Sequence, residues 1–221
     1  MNRKTSKNEG SFITLEGGDG SGKTTQIELL SDFLSGRGID VHITREPGGT
    51  RLGEALRDII LHNADPIDDK VELLLMFAAR SQHVTKVIKP RLANGQWVLS
   101  DRFTDATFAY QGGGRQMAIK DIEGLQIFVQ GDFRPDKTIL LDLPVEQGIL
   151  RSTRRGQAND RIEQQDLAFK RRVREAYLKR YRQCRSRIAV VDASGPISEV
   201  HKAIRVEIEK ILGPSEQKND D

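Results

Sequence analysis

The residues with the clearest chemical purpose lie between positions 17 and 25. Gly17-Gly18-Asp19-Gly20-Ser21-Gly22-Lys23-Thr24 follows the spacing G-x-x-x-x-G-K-[ST], and Thr25 comes directly after it. Glycines at this density let the chain wrap closely, so that successive N–H groups point at phosphate oxygens. A lysine at the end of such a loop reaches the β- and γ-phosphates, and the hydroxyl of Thr24 can bind Mg2+. The chemistry is nucleoside triphosphate binding, and what the triphosphate is used for stays open. A guanine-reading Asn-Lys-x-Asp motif is absent, and Glu16 and Gly17 stand where a chromosome-partitioning ATPase would carry a second lysine.

Other residues suit the handling of phosphate charge. Arg151, Arg154, Arg155 and Arg161 fall within 11 residues of RSTRRGQANDRIE (151–163), which also holds the flexible Gly156. Arginine stays charged and donates two hydrogen bonds in a fork, which fits a transferring phosphoryl group. The segment reads either as a mobile cationic lid or as an exposed basic loop. Asp101 and Arg102 follow WVLS and should emerge at the carboxyl edge of a sheet, where open α/β folds bind ligands. Arg80, one residue past Ala78-Ala79, reads either as a snorkelling residue at a helix end or as a buried contact to a polar ligand.

These groups need a scaffold, and the chain supplies its pattern. Phe12–Glu16, Val41–Thr44, Trp97–Ser100, Thr138–Leu143 and Ile188–Asp192 are short apolar runs that predict strands buried on both faces. Helical patterns fill the gaps, as parallel strands require. TTQIELLSDFLS (24–35) predicts a helix opening on the loop. Phe169, Val173, Tyr177 and Tyr181 mark one helix face, and Val200, Ile204, Ile208 and Ile211 mark another, with Pro196 suited to its first turn. Val71–Ala79 has Glu72 as its single polar residue, so it is either central to the fold or part of a subunit interface. The expected architecture is α/β: a three-layer phosphate-loop NTPase fold, a five-stranded parallel sheet flanked by helices. One domain over 11–212 is expected, with a lid at about 151–163 and polar flexible tails at 1–10 and 213–221.

Composition sets the remaining bounds. The chain has 221 residues, enough for one large α/β domain, and its single Cys184 excludes an internal disulfide. No run of 18 apolar residues predicts a membrane helix, and the N-terminus lacks an apolar signal region, so a cytoplasmic protein is expected. The net charge of +3 is unevenly placed: residues 151–187 hold 13 Lys and Arg against 4 Asp and Glu, a local +9. Such a segment reads as a solvated face or as a site for a polyanion. An ATP-regulated nucleic-acid module is the reading from a different class. The alternation of basic residues with Phe169, Val173 and Tyr177 argues against it, and no nucleic-acid or membrane partner is expected.

Taken together, TLEGGDGSGKTTQ, TREPGGT (44–50), FAARSQHV (77–84), SDRFTDATFAYQGGGR (100–115) and DRIE (160–163) resemble bacterial thymidylate kinases, in family order from about residue 12 to residue 192. The resemblance implies transfer of the γ-phosphoryl group of ATP to dTMP, with Mg2+ and a homodimer. It implies that Asp19 lies near the acceptor phosphate, the sugar 3′-OH and the metal, and that Arg102 holds the acceptor phosphate while Asp101 organises metal and water. Arg80 would read the thymine edge, Thr107 and Gln111 would sit at base-recognition positions, and Tyr110 would pack under the deoxyribose. Arg45 and Arg51, flanking EPGG, are weaker candidates for the acceptor phosphate. Relatives often carry an aromatic residue four before the helix arginine, where it stacks on thymine; here that position is Met76, with Phe77 beside it, and either Met76 or Phe77 would face the base. The phosphate loop has no arginine, so the chain resembles the subtype whose catalytic arginines sit in the lid. Another nucleoside monophosphate on the same fold is the runner-up substrate.

Overall fold

The structure, a computed structural model, describes residues 10–154 and 160–212. Arg155, the rest of 155–159, residues 1–9 of the expected N-terminal tail and the whole expected C-terminal tail lie outside the described residues. Gly10 is buried, and its N–H donates to Leu92 O at 2.9 Å.

Five parallel strands form the sheet: β1 (Phe12–Glu16), β2 (Val41–Arg45), β3 (Trp97–Asp101), β4 (Lys137–Asp142) and β5 (Ile188–Asp192). Their order across the sheet is β2-β3-β1-β4-β5, which puts β1 at the centre. Register is set by pairs such as Leu15 with Asp101 and Glu16 with Leu140. β1 is buried throughout, as are the middles of β3 and β4. β2 departs from the expectation of two covered faces. It is an edge strand, and Ile43 is 44% exposed.

Strand alternation sends Ile13 and Leu15 to one face of β1, and Phe12, Thr14 and Glu16 to the other. The first face packs with Leu99, Ile139 and Leu141 against α1 (Lys23–Ser35) and α9 (Ile197–Leu212), through Ile27, Leu30, Leu34, Val200, Ile204 and Ile208. On the opposite face Phe12 joins Val84, Ile88, Phe103 and Phe133. Further along that face, Leu140 and Ile188 meet Phe169, Val173 and Tyr177 of α8 (Leu167–Gln183). Both predicted helix faces are therefore core. Tyr181 and Ile211 sit at their partly buried ends.

The remaining described elements connect and cover these strands. They include α2 (Arg51–His62), α3 (Asp69–His83), α4 (Lys89–Ala93) and α5 (Thr104–Thr107), which runs into a π-helical segment at Phe108–Gly114. Next come α6 (Ile119–Gln130) and α7 (Val145–Arg154). No described helix is long and apolar enough to cross a membrane.

Arg171, Lys179, Arg182 and Arg185 form a solvated face, as expected, while other arginines of the basic segment reach acids elsewhere in the chain. Arg174 donates to both carboxylate oxygens of Asp142, at 2.7 and 2.8 Å. Arg180 and Arg187 converge on buried Asp105, at 3.2 and 2.7 Å. Arg171 meets Glu146, and Arg161 meets Glu72. Part of the local excess of positive charge is thus answered by acids from the rest of the chain.

Candidate active site

The loop after β1 returns to the sheet edge and opens α1 at Gly22, which takes the left-handed φ of 88°. Gly20 also needs its lack of a side chain: a Cβ there would lie 2.3 Å from Gly148 O in the first turn of α7. The contact is mutual, since a Cβ on Gly148 would come within 2.5 Å of Asp19 O. Lys23 is 8% exposed, and its Nζ donates to Gly17 O and Gly18 O at 3.2 and 3.1 Å. Burial, with the nearby Arg102 charge, pushes its pKa down to about 8, against the pull of Asp101, Asp19 and Glu16.

At the end of β3 the chain turns sharply. Arg102 takes φ 70°, which brings its guanidinium back over the loop, where it donates to Gly17 O at 3.0 Å and to Asp19 Oδ1 at 3.0 Å. The ring of Tyr110 lies 4.6 Å below the guanidinium, and the Tyr110 hydroxyl reaches Asp19 Oδ1 at 3.3 Å. Burial pushes the phenol's pKa up, so Tyr110 stays neutral. Asp101 Oδ1 is buried without a hydrogen-bond partner.

Across the opening, α3 presents Arg80, 2% exposed and well inside the helix packing. The snorkelling reading is corrected. Its Nε donates to Glu46 Oε2 at 2.7 Å and its Nη2 to Thr107 Oγ1 at 3.0 Å, while Nη1 is buried without a partner. His83 shares Glu46 through Nδ1 at 2.9 Å and touches Thr44 Oγ1 through Nε2 at 2.7 Å. Burial works to raise the Glu46 pKa, but Arg80 and His83 outweigh it and leave the carboxyl below its usual range. Gln111 Nε2 donates to buried Glu72 Oε1 at 2.8 Å.

These two groups face one cavity of about 610 Å3. It is lined by the loop from Asp19 to Thr25, by Asp101 and Arg102, and by Met76, Arg80, Thr107, Tyr110 and Gln111. Met76 is thus the residue on the opening, whereas Phe77 is buried with Leu73, Phe108 and Ile122. Arg45 and Arg51 are absent from the lining. Arg45 is exposed and paired with Glu54 at 2.9 Å, and Arg51 is exposed at the start of α2.

The described arginines of the expected lid separate. Arg151 lines the cavity, but its guanidinium donates to Ala193 O at 2.8 Å and Ser194 O at 3.0 Å, on the α9 side of the phosphate loop. Arg154 is exposed and off the lining. Arg161 turns to α2 and α3: its Nε donates to Ile60 O at 3.0 Å and its Nη2 to Glu72.

Several lining residues escaped the sequence reading. Arg57 and Leu61 of α2 lie four apart on one helix face, and Arg57 Nη1 donates to Pro47 O at 3.0 Å. The available signal was helical phase: Arg51 lies six residues before Arg57, about 120° around the helix from it. Gln26, Ala193 and Gly195–Ile197 form the opposite end of the cavity, together with Arg151 and Val200. No motif marks that junction of α1, β5 and α9.

Such an opening can hold two anionic ligands end to end: a polyphosphate on the loop, and a second ligand between Arg102 and the Arg80 wall. Comparison with known proteins extends over nearly the whole chain. The family model for thymidylate kinase matches residues 15–204. A thymidylate kinase of Nitrosospira multiformis is 50% identical over 202 residues, 91% of this chain and 98% of its own. One from Chromohalobacter salexigens is 50% identical over 205 residues, 92% of this chain and 97% of its own. The crystal structure of thymidylate kinase from Ehrlichia chaffeensis superposes with a TM-score of 0.74 at 36% identity, covering 92% of this chain and 98% of that one. With nearly the full length matched on both sides, the chain belongs to the thymidylate kinase family.

Proposed function

We propose that this protein transfers the γ-phosphoryl group of ATP to dTMP, giving dTDP and ADP on the route to dTTP. The observation that carries the reading is the shared cavity, with Lys23 at the triphosphate end, Arg102 and Asp19 in the middle and Arg80 at the far wall. Arg80 Nη1 is a buried donor without a partner, and it suits a carbonyl on the thymine edge better than the amino group of cytosine. Thr107 and Gln111 frame the same wall, Met76 covers the base, and Tyr110 packs under the sugar.

The acceptor is a phosphate monoester with a second pKa of about 6, so it is mostly a dianion at neutral pH and needs no general base. The work of the protein is alignment and charge neutralisation. Lys23 and the loop amides hold the triphosphate. Arg102 holds the acceptor phosphate, with its guanidinium fixed between Asp19 and the Gly17 carbonyl. Arg151 belongs to the donor nucleotide's end. The buried, unpartnered Asp101 Oδ1 and the Thr24 hydroxyl on the cavity wall fit an Mg2+ carried in with ATP. When bound, that ion neutralises charge on the β- and γ-phosphates.

The same reading assigns a homodimer joined through α3 and α6, where Val71, Leu74, Ile127 and Phe128 are exposed, Phe128 by 87%. It places the enzyme in the cytoplasm, with no nucleic-acid partner. The test is a coupled ADP-release assay with Mg-ATP and a panel of dTMP, dUMP, CMP, GMP and AMP. dTMP should be turned over best. Preference for another monophosphate would replace the substrate, and no turnover with any of them would end the proposal.

A further inference from the structure

Glu16 is the one charged residue of the central strand, and it is fully buried. A carboxyl group in that position is costly unless its oxygens are bonded. Both are, and each bond leads to Arg102. Glu16 Oε1 accepts from the Phe103 N–H at 2.7 Å, so it holds the peptide that follows Arg102. Glu16 Oε2 accepts from the Tyr177 hydroxyl at 2.8 Å, and the Tyr177 oxygen in turn accepts from Arg102 Nη1 at 3.2 Å.

The backbone at this point needs holding. Arg102 has φ 70°, a left-handed conformation in which an L residue is strained and persists only when its surroundings over-determine it. Its own N–H donates to Leu15 O at 3.0 Å, and its carbonyl accepts from Ser100 Oγ at 2.7 Å. Glu16 adds the restraint on the far side. The turn aims the guanidinium at the phosphate loop, and Tyr177 sets its rotation about the axis that Gly17 O and Asp19 also contact.

We infer that Glu16 and Tyr177 are positioning residues for phosphoryl transfer: they form a two-armed clamp that fixes the strained turn and the guanidinium plane of Arg102. The inference rests on the assignment of Arg102 to the acceptor phosphate. Burial and the neighbouring Asp105 carboxylate push the Glu16 pKa up to about 8, against the pull of Arg102.

The experiment is a double-mutant cycle on the full-length enzyme with Mg-ATP and dTMP. Tyr177→Phe removes one arm at constant shape. Glu16→Gln keeps an acceptor for the Phe103 N–H but turns an NH2 group toward Tyr177, and it serves as the independent second variant. Each should lower kcat about tenfold or more and raise the KM for dTMP, with the KM for ATP within about twofold of wild type. In an Arg102→Ala background, read by single-turnover transfer of labelled phosphate, neither should cost more than about another twofold. An equal fold-loss in both backgrounds would show a general structural role and overturn the clamp, as would wild-type kcat in both variants. Near-normal activity of Arg102→Ala alone would instead overturn the assignment of Arg102 on which the clamp rests.

Discussion

Replacing Lys23 by Met should make the ligand-free protein more stable at neutral pH while abolishing turnover. Lys23 is 8% exposed, and its pKa falls from 10.5 to about 8. At 1.36 kcal/mol per unit, holding that ammonium in the folded state costs about 3 kcal/mol. Methionine removes the charge at similar volume but forfeits two hydrogen bonds to the loop carbonyls, worth roughly 1–2 kcal/mol together. The net gain at pH 7 is about 1–2 kcal/mol, or roughly 3–6 °C in melting temperature for a chain of this size. The sign follows from proton counts. Between pH 8 and 10.5 the unfolded chain holds a proton that the folded chain has released, so the wild type gains stability there as pH rises. The difference between variant and wild type should therefore shrink above pH 8 and reverse near pH 9–10. Urea titrations of both ligand-free proteins at pH 7, 8.5 and 9.5 measure it, and saturating ATP should stabilise only the wild type appreciably. A variant that is less stable at pH 7, or a difference independent of pH, would refute the reasoning.

Asp105→Asn leaves Arg180 and Arg187 facing a neutral amide in a buried network, and should cost about 3–5 kcal/mol in urea unfolding. Arg80→Met removes the buried donor at the far wall and leaves Glu46 to His83, so the KM for dTMP should rise about 100-fold while the KM for ATP holds. Leu74→Asp combined with Phe128→Asp places charge on the exposed α3–α6 face, and sedimentation should show a monomer, against the dimer proposed for the wild type.

Contiguous features were legible in the sequence and assembled ones were not. Glycine spacing, a preceding apolar run and a following helical pattern identify the phosphate loop within residues 12–35, and the structure differs only in starting α1 at Lys23 instead of Thr24. Strand limits moved by a residue or so, as at β4, where Lys137 enters and Leu143 leaves, because end residues are decided by ladder hydrogen bonds and not by composition. Arg57 meets Pro47, and Arg151 meets the loop after β5, only through tertiary packing, so nothing local announced them. Glu72 was visible as the lone polar residue of an apolar helix. Its three partners, Gln111, Arg115 and Arg161, lie 39 to 89 positions away. The same distance in sequence concealed how Arg161, Arg174, Arg180 and Arg187 of the +9 segment are paired with Glu72, Asp142 and Asp105.

The contact between Gly20 and Gly148 sets a boundary for anyone remodelling this enzyme. Backbone meets backbone there with no room for a methyl group on either side. A side chain at either position would push the phosphate loop and the first turn of α7 apart. A lid grafted from another kinase should begin after Gly148. A seam placed upstream would transplant half of a bearing whose other half is the triphosphate cradle.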